Sequence, residues 1–319
     1  MSAQVRDNSH LFSNRINIKM WFKNLRIYRL TKDIDLSPET LEAALAEQNF
    51  SPCANMDFSK YGWVPPLGKN SEMYTHSTSG YVMICARKQE KILPPAAVNE
   101  VVEEKVLDFE QEQTRPIYRN EKRTLKEDVI HSLLPRALTR SYLVYAYFDP
   151  ASKLLIIDSA SANKCEEFMD HLRATLGSLP VVPLKCHGDA ANIMTHWLQD
   201  TAPKTIELDN ECELQNPRES KNIVRCKNQE LESEEILTHL KAGKRVTQLA
   251  MVWREAIRFI LTDDFVIKRL RFEEIIQEQA EGEADDRATQ FDQDFAVMVL
   301  QLHEFIKELL EEFGGVEKD

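Results

Sequence analysis

Residues able to do chemistry are present, but few fall at the spacings that chemistry needs. A phosphate-cradling loop takes a glycine, four residues, then Gly-Lys-Ser/Thr, because backbone N–H groups wrap the phosphates and the hydroxyl meets magnesium. Ala242-Gly243-Lys244-Arg245 has Thr238 at the upstream glycine position and no hydroxyl after the lysine. Gly243 reads better as a helix C-cap. His303-Glu304 opens like a zinc-binding helix, yet Lys307 stands where the second histidine belongs, so a surface pair fits better. Cys186-His187 is one corner of a metal site without a second. Cys165-Glu166-Glu167 with His171 could be drawn as a ligand set, but a helix that packs Cys165, Phe168 and Leu172 inward explains them more simply. No Gly-x-Ser-x-Gly elbow occurs. Triads assemble in space, so one sequence leaves nucleophilic catalysis open, with no local signature in its favour.

The positive signal is basic. Residues 115–140 carry Arg115, Arg119, Lys122, Arg123, Lys126, Arg136 and Arg140 against Glu121, Glu127 and Asp128. Positions 119, 122, 123 and 126 share one face of a helix, opposite Leu125, Val129 and Leu133. A second cluster holds Arg218, Lys221, Arg225 and Lys227, a third Lys241, Lys244 and Arg245, a fourth Lys268, Arg269 and Arg271. Each alone reads as a solvated face. Four together point modestly to a polyanion surface. No aromatic interleaving or recognition helix accompanies them, so phosphates rather than bases should dominate any nucleic-acid contact.

The elements that must position these residues follow from periodicity and punctuation. A strand is expected over 22–30. Ser37-Pro38 caps a helix to about Gln48, and GWVPP at 62–66 reads as a loop. A hairpin turns at Ser79-Gly80. Pro94-Pro95 opens a long helix that Pro116 interrupts, and a second helix runs from 121 to 134. Strands at 142–148 and 154–158 flank Asp149-Pro150. Helices follow over 162–176 and 191–199, with a strand at 181–184 between them. Residues 200–220 read as a polar loop, 223–227 as a short strand, and 246–272 as a three-stranded meander. The last element is an amphipathic helix from 288 to 313.

These elements divide into an extension at 1–19, read as a disordered tail or as an over-long start upstream of Met20, and an α+β part at 20–113. A basic helical segment follows at 114–140, then a second α+β part at 141–200, a strand-rich part at 201–272 and an acidic helical segment at 273–319. The chain has 319 residues, 43% hydrophobic and 29% charged, enough for real cores. No run approaches the roughly 18 apolar residues of a membrane span. Nine glycines argue against glycine-rich phosphate loops, and six scattered cysteines read as reduced thiols in a cytosolic protein. The net charge of −12 resides entirely in 273–319, where fifteen acids face Arg287, Lys307 and Lys318. The first 272 residues are neutral overall.

Several strings are familiar in order: WFKNL at 21–25, GWVPP at 62–66, CARKQEKILP at 85–94, HSLLPRAL at 131–138, LGSLPVVPL at 176–184, LESEEI at 231–236, AGKRVTQLA at 242–250 and KRLRF at 268–272. Together they resemble the recombination-associated RdgC proteins of proteobacteria over about 20–319. The resemblance implies an elongated, horseshoe-like α+β subunit with mixed or antiparallel sheets, pairing into a homodimeric ring with a basic hole. It implies sequence-tolerant binding of double-stranded DNA, association with the nucleoid in the cytoplasm, and restraint of a RecA-type recombinase by occupying its DNA. No enzymatic activity and no cofactor are expected. HSLLPRAL matches an inward segment, which implies Arg136, Leu138 and Arg140 near the duplex; RCKNQ at 225–229 adds Arg225, Lys227 and Gln229. With Arg115, Arg119, Lys122, Arg123, Lys126, Lys244 and Arg245 these are the candidate DNA-binding residues. Leu138 departs from the aromatic that would wedge DNA more strongly. The rival readings are a factor that acts directly on a recombinase, with DNA binding incidental, and a nuclease.

Overall fold

The computed structural model describes residues 20–68, 71–280 and 286–317. The extension at 1–19 and Lys318 lie outside the described residues. In chain order the elements are β1 (Arg26–Leu30), α1 (Pro38–Glu47), β2 (Ser59–Val64), β3 (Thr75–Thr78), β4 (Tyr81–Lys91), α2 (Pro95–Gln113), α3 (Arg119–Leu133), a 3₁₀ turn (Leu134–Arg136), β5 (Thr139–Asp149), β6 (Leu154–Ile157), α4 (Ala162–Leu176) and β7 (Val181–Pro183). Then come α5 (Ala190–Gln199), β8 (Ile206–Asn216), β9 (Glu219–Lys227), α6 (Glu234–Lys241), β10 (Arg245–Trp253), β11 (Ile257–Thr262), β12 (Ile267–Phe272), α7 (Glu274–Ala280) and α8 (Arg287–Glu312).

The α+β expectation holds, with two antiparallel sheets. The first has the order β2-β4-β5-β6-β1-β7, with β3 also on β4; the second is β12-β11-β10-β8-β9. Strands on both sides of the basic helical segment therefore join one sheet. In β4, Tyr81 to Ala86 are buried without alternation, which requires cover on both faces. One face packs Ile84, Ala86, Val144 and Phe148 against Leu41 and Leu45 of α1 and Phe168 and Leu172 of α4. The other packs against α8, which lies between the sheets: Phe295 meets Tyr147 of β5, and Phe305 meets Phe259 and Trp253 of the second sheet. The inward stripe of this last helix, Phe291, Phe295, Met298, Leu302, Phe305 and Leu309, is buried as its spacing requires.

Beyond Ala86 the sequence turns polar, and β4 and β5 continue as a ribbon from Arg87 to Lys91 against Thr139 to Leu143, with Ser59 to Gly62 of β2 on the other side of β4. The ribbon carries the α2–α3 hairpin, whose small core is Val98, Val102 and Val129.

Three expectations are corrected. The first strand begins at Arg26, because Asp158 captures the backbone N–H groups of Lys23 and Asn24 at 3.0 and 2.9 Å and Leu25 bridges instead to Ile267 of the other sheet. GWVPP is not all loop: Gly62 to Val64 pair with β4, and a side chain at Gly62 would strike the Phe50 backbone at 2.5 Å. Residues 200–220 hold β8, eleven residues long. Its period-2 pattern of Leu208, Cys212 and Leu214 was masked by the acids between them.

Candidate nucleic-acid interface

Helix α3 starts at a tight corner. Arg115 forms a two-point ion pair with Glu121, at 2.7 and 2.9 Å, and its guanidinium lies over the rings of Phe109 and Tyr118. Glu121 also accepts the Tyr118 N–H at 2.9 Å. The Arg115 guanidinium, aided by that backbone bond, pulls the Glu121 carboxyl down to about 2. Arg115 therefore staples the hairpin tip and is not a free cation. The corner leaves Arg119, Lys122 and Arg123 exposed on the outer face of α3, with no ion pair among the described residues. Lys126 beside them reaches Asn99 Oδ1 at 3.0 Å. Val129 and Leu133 pack into the core shared with α2, as the spacing predicts, and Leu125 on the same side is half-buried.

Where α3 returns to the sheet, Arg136 is exposed on the 3₁₀ turn and Leu138 is 78% exposed. Arg140 faces Glu90 across the ribbon and bonds it at 2.5 Å.

The second basic region lies on the outer face and edge of the second sheet. Strand β9 is an edge, and its partner β8 presents Glu207, Asp209, Glu211 and Glu213 at alternate positions, hence on one face. Sequence reasoning missed this column, although its spacing of two was visible. Each of the last three acids holds an arginine: Asp209 holds Arg258 at 2.7 Å, Glu211 holds Arg269 at 2.6 Å, and Glu213 holds Arg225 at 2.6 Å. Partial burial pushes the Glu213 carboxyl up, but the Arg225 guanidinium and the Thr247 hydroxyl outweigh it, and the net shift is downward. Lys227 stands opposite Glu211 and makes no ion pair among the described residues.

The remaining candidates divide. Gln229 donates to Glu235 at 2.9 Å and is occupied within the chain. Lys244 is only 9% exposed, and its ammonium donates to the carbonyl and side chain of Asn222 on β9. It buttresses the hairpin rather than facing solvent. Arg245 is exposed at the start of β10, opposite Gln215. The structure thus brings together Arg119, Lys122, Arg123 and Lys126 on one helix and places Arg136, Leu138 and Arg140 at its foot. Arg225 and Lys227 belong to a separate sheet. Among the described residues no three His, Cys, Asp or Glu side chains group as a metal site, and no helix is long and apolar enough to cross a membrane.

A family model described as "Putative exonuclease, RdgC" matches residues 20–316. The chain is 43% identical over 301 residues to the recombination-associated protein RdgC of Aeromonas hydrophila, covering 94% of this chain and 99% of that one. It is 45% identical over 302 residues to the protein of the same name from Pseudomonas entomophila, covering 93% and 98%. Fold and comparisons together define an α+β protein of the recombination-associated class. Within that class, the chain belongs to the RdgC family. The family description contains the word exonuclease; the names of these relatives do not.

Proposed function

We propose that the protein binds double-stranded DNA with little sequence preference, as a homodimeric ring formed by two horseshoe-like subunits, and restrains a RecA-type recombinase by occupying its DNA. On this reading it works in the cytoplasm on the nucleoid, needs no cofactor and performs no catalysis. The observation that carries the reading is the α3 face: three adjacent cations, exposed and without ion pairs, on a hairpin that stands clear of the core. Such cations meet phosphates at little desolvation cost and release condensed counterions. Arg136 and Lys227 extend the same chemistry. The affiliation with recombination-associated proteins agrees with a DNA role.

Symmetry supports the dimer. A two-fold pair presents the α3 cations twice around one axis, which concentrates positive charge for a single duplex. Sedimentation should give a dimer at micromolar concentration; monomer alone would remove the ring. Binding to two unrelated duplexes should be equal, and incubation with magnesium or manganese should leave both uncut. Metal-dependent strand cutting would replace this reading with the nuclease.

A further inference from the structure

The six cysteines are all thiols, and two of them face each other. Cys212 of β8 and Cys226 of β9 are directly opposite in an antiparallel register, between the pairs Glu211–Lys227 and Glu213–Arg225. Directly opposite residues share one face of a sheet, with Cα atoms about 4.5 or 5.5 Å apart. A disulfide takes roughly 4.4–6.8 Å, so the strands already stand at bonding distance. Both side chains are buried in one core with Leu214, Leu231 and Leu249. Burial first, then the charge of the Cys226 sulfur and a hydrogen bond with it, push the Cys212 thiol up to about 12.

Other cysteines have different neighbours. The register partners of Cys85 are Val64 and Tyr145, and Cys186 bridges to Val316. Cys165 lies on α4 and bonds the Ser159 carbonyl, and Cys53 donates to the Gln89 carbonyl. A single buried cysteine packs as a small apolar residue. Two in register also bring together the atoms of a covalent bond.

The pair sits where such a bond has an effect. Strand β9 is the edge of its sheet, held by a neighbour on one side only. We propose that Cys212 and Cys226 are a redox-active pair, which a peroxide closes into a cross-strand disulfide that pins β9 to β8. Cys226 is on the open edge and 9% exposed, against 5% for Cys212, so peroxide reaches it first, through local openings of that edge. Its sulfur takes one peroxide oxygen as the O–O bond breaks, and one water leaves. The Cys212 sulfur then attacks the resulting sulfenic acid, the S–S bond forms, and a second water leaves. Two electrons pass from the thiols to the peroxide, and both thiol protons end in water. The site does not depend on the DNA reading.

The test treats the native full chain with hydrogen peroxide, blocks the remaining thiols with N-ethylmaleimide in denaturant, and maps unreduced peptides by mass spectrometry. The expected product joins the Cys212 and Cys226 peptides with the loss of two hydrogen atoms and is reversed by dithiothreitol, while Cys85 and Cys165 take the maleimide. In Cys212→Ala the Cys226 sulfenic acid has no partner, and dimedone should trap it. Amide protection factors over 219–227 should rise at least about tenfold in the oxidised wild type, and not in the treated variant. Cys212 and Cys226 both remaining thiols, disulfides joining other cysteines, or wild-type Cys226 passing to sulfinic acid unbridged would each overturn the proposal and leave the pair as packing only. A bridge that leaves 219–227 no better protected overturns the pinning of β9.

Discussion

Helix α3 and strand β9 are both rich in cations, yet they hold them differently. The outer face of a helix has no neighbouring strand opposite it, and Arg119, Lys122 and Arg123 make no ion pair among the described residues. A strand in a sheet always has a neighbour. The neighbour of β9 carries a column of carboxylates, and Arg225 is matched to Glu213 in register, while Arg269 of β12 reaches the same column at Glu211. Charge counted along the chain therefore overstates the second region. A phosphate approaching α3 meets bare cations. One approaching β9 must displace a carboxylate before it gains Arg225.

The largest expected effect comes from removing the free charges. Each phosphate contact contributes a log–log salt slope near −0.9, which amounts to about tenfold in affinity near 0.1 M salt. Replacing Arg119, Lys122 and Arg123 together by Ala should weaken duplex binding by roughly a thousandfold, with the dimer intact by sedimentation. A loss under tenfold would move the DNA surface off α3.

The β9 region separates more finely. Lys227→Ala should cost about tenfold. Glu213→Gln should act in the opposite direction and tighten binding a few-fold, because it releases Arg225 from its ion pair. Competition titrations with one labelled duplex measure both. Weaker binding by Glu213→Gln would mean that the column positions its arginines for DNA instead of withholding them.

Acid should loosen the α3 corner. The folded-state carboxyl of Glu121 is depressed to about 2, below its ordinary value near 4.3. Its stabilising contribution is fully present above the ordinary value and is lost as pH falls through 4 toward 2. Protection factors of the amides in 114–123, taken relative to the intrinsic exchange rate at each pH, should fall over that window. In Glu121→Gln they should already be lower at pH 7 and nearly flat with pH. Wild-type protection factors that ignore acid would show that the ion pair does not hold the corner.

The smallest effect is expected at Leu138. It is exposed beside Arg136 but carries neither charge nor ring, so Leu138→Ala should change duplex affinity less than about twofold, within the usual range of surface substitutions. A tenfold loss by electrophoretic mobility shift would reveal an apolar contact with DNA.

Much of the fold was legible in the sequence. Ser37-Pro38, Pro94-Pro95 and Pro116 mark element ends, and the 3.6-residue stripe of α8 identified the helix between the sheets. What failed were strands whose alternation is disguised. In β8, acids fill the outward positions, and a polar segment read as a loop. In β2, a glycine and a following Pro-Pro suggested a turn. The α3 face was legible too, because helical spacing alone settles which residues share it. The state of each cation was not. Whether Arg115, Arg140 or Arg225 is free depends on a carboxylate six, fifty or twelve residues away, and Lys244 was hidden by a turn toward Asn222 that no local pattern announces.

The central claim is that free cations on α3 bind duplex phosphates. The most direct measurement is the slope of log Kd against log salt concentration, from about 50 to 200 mM, for the wild type and the Arg119, Lys122, Arg123 triple Ala variant. With 6–10 phosphates contacted, the wild-type slope should lie between about −5 and −9 in the association constant, for two unrelated duplexes alike. The triple variant should be shallower by about 3. A slope that the triple variant leaves unchanged, or a wild-type affinity insensitive to salt, would contradict the account.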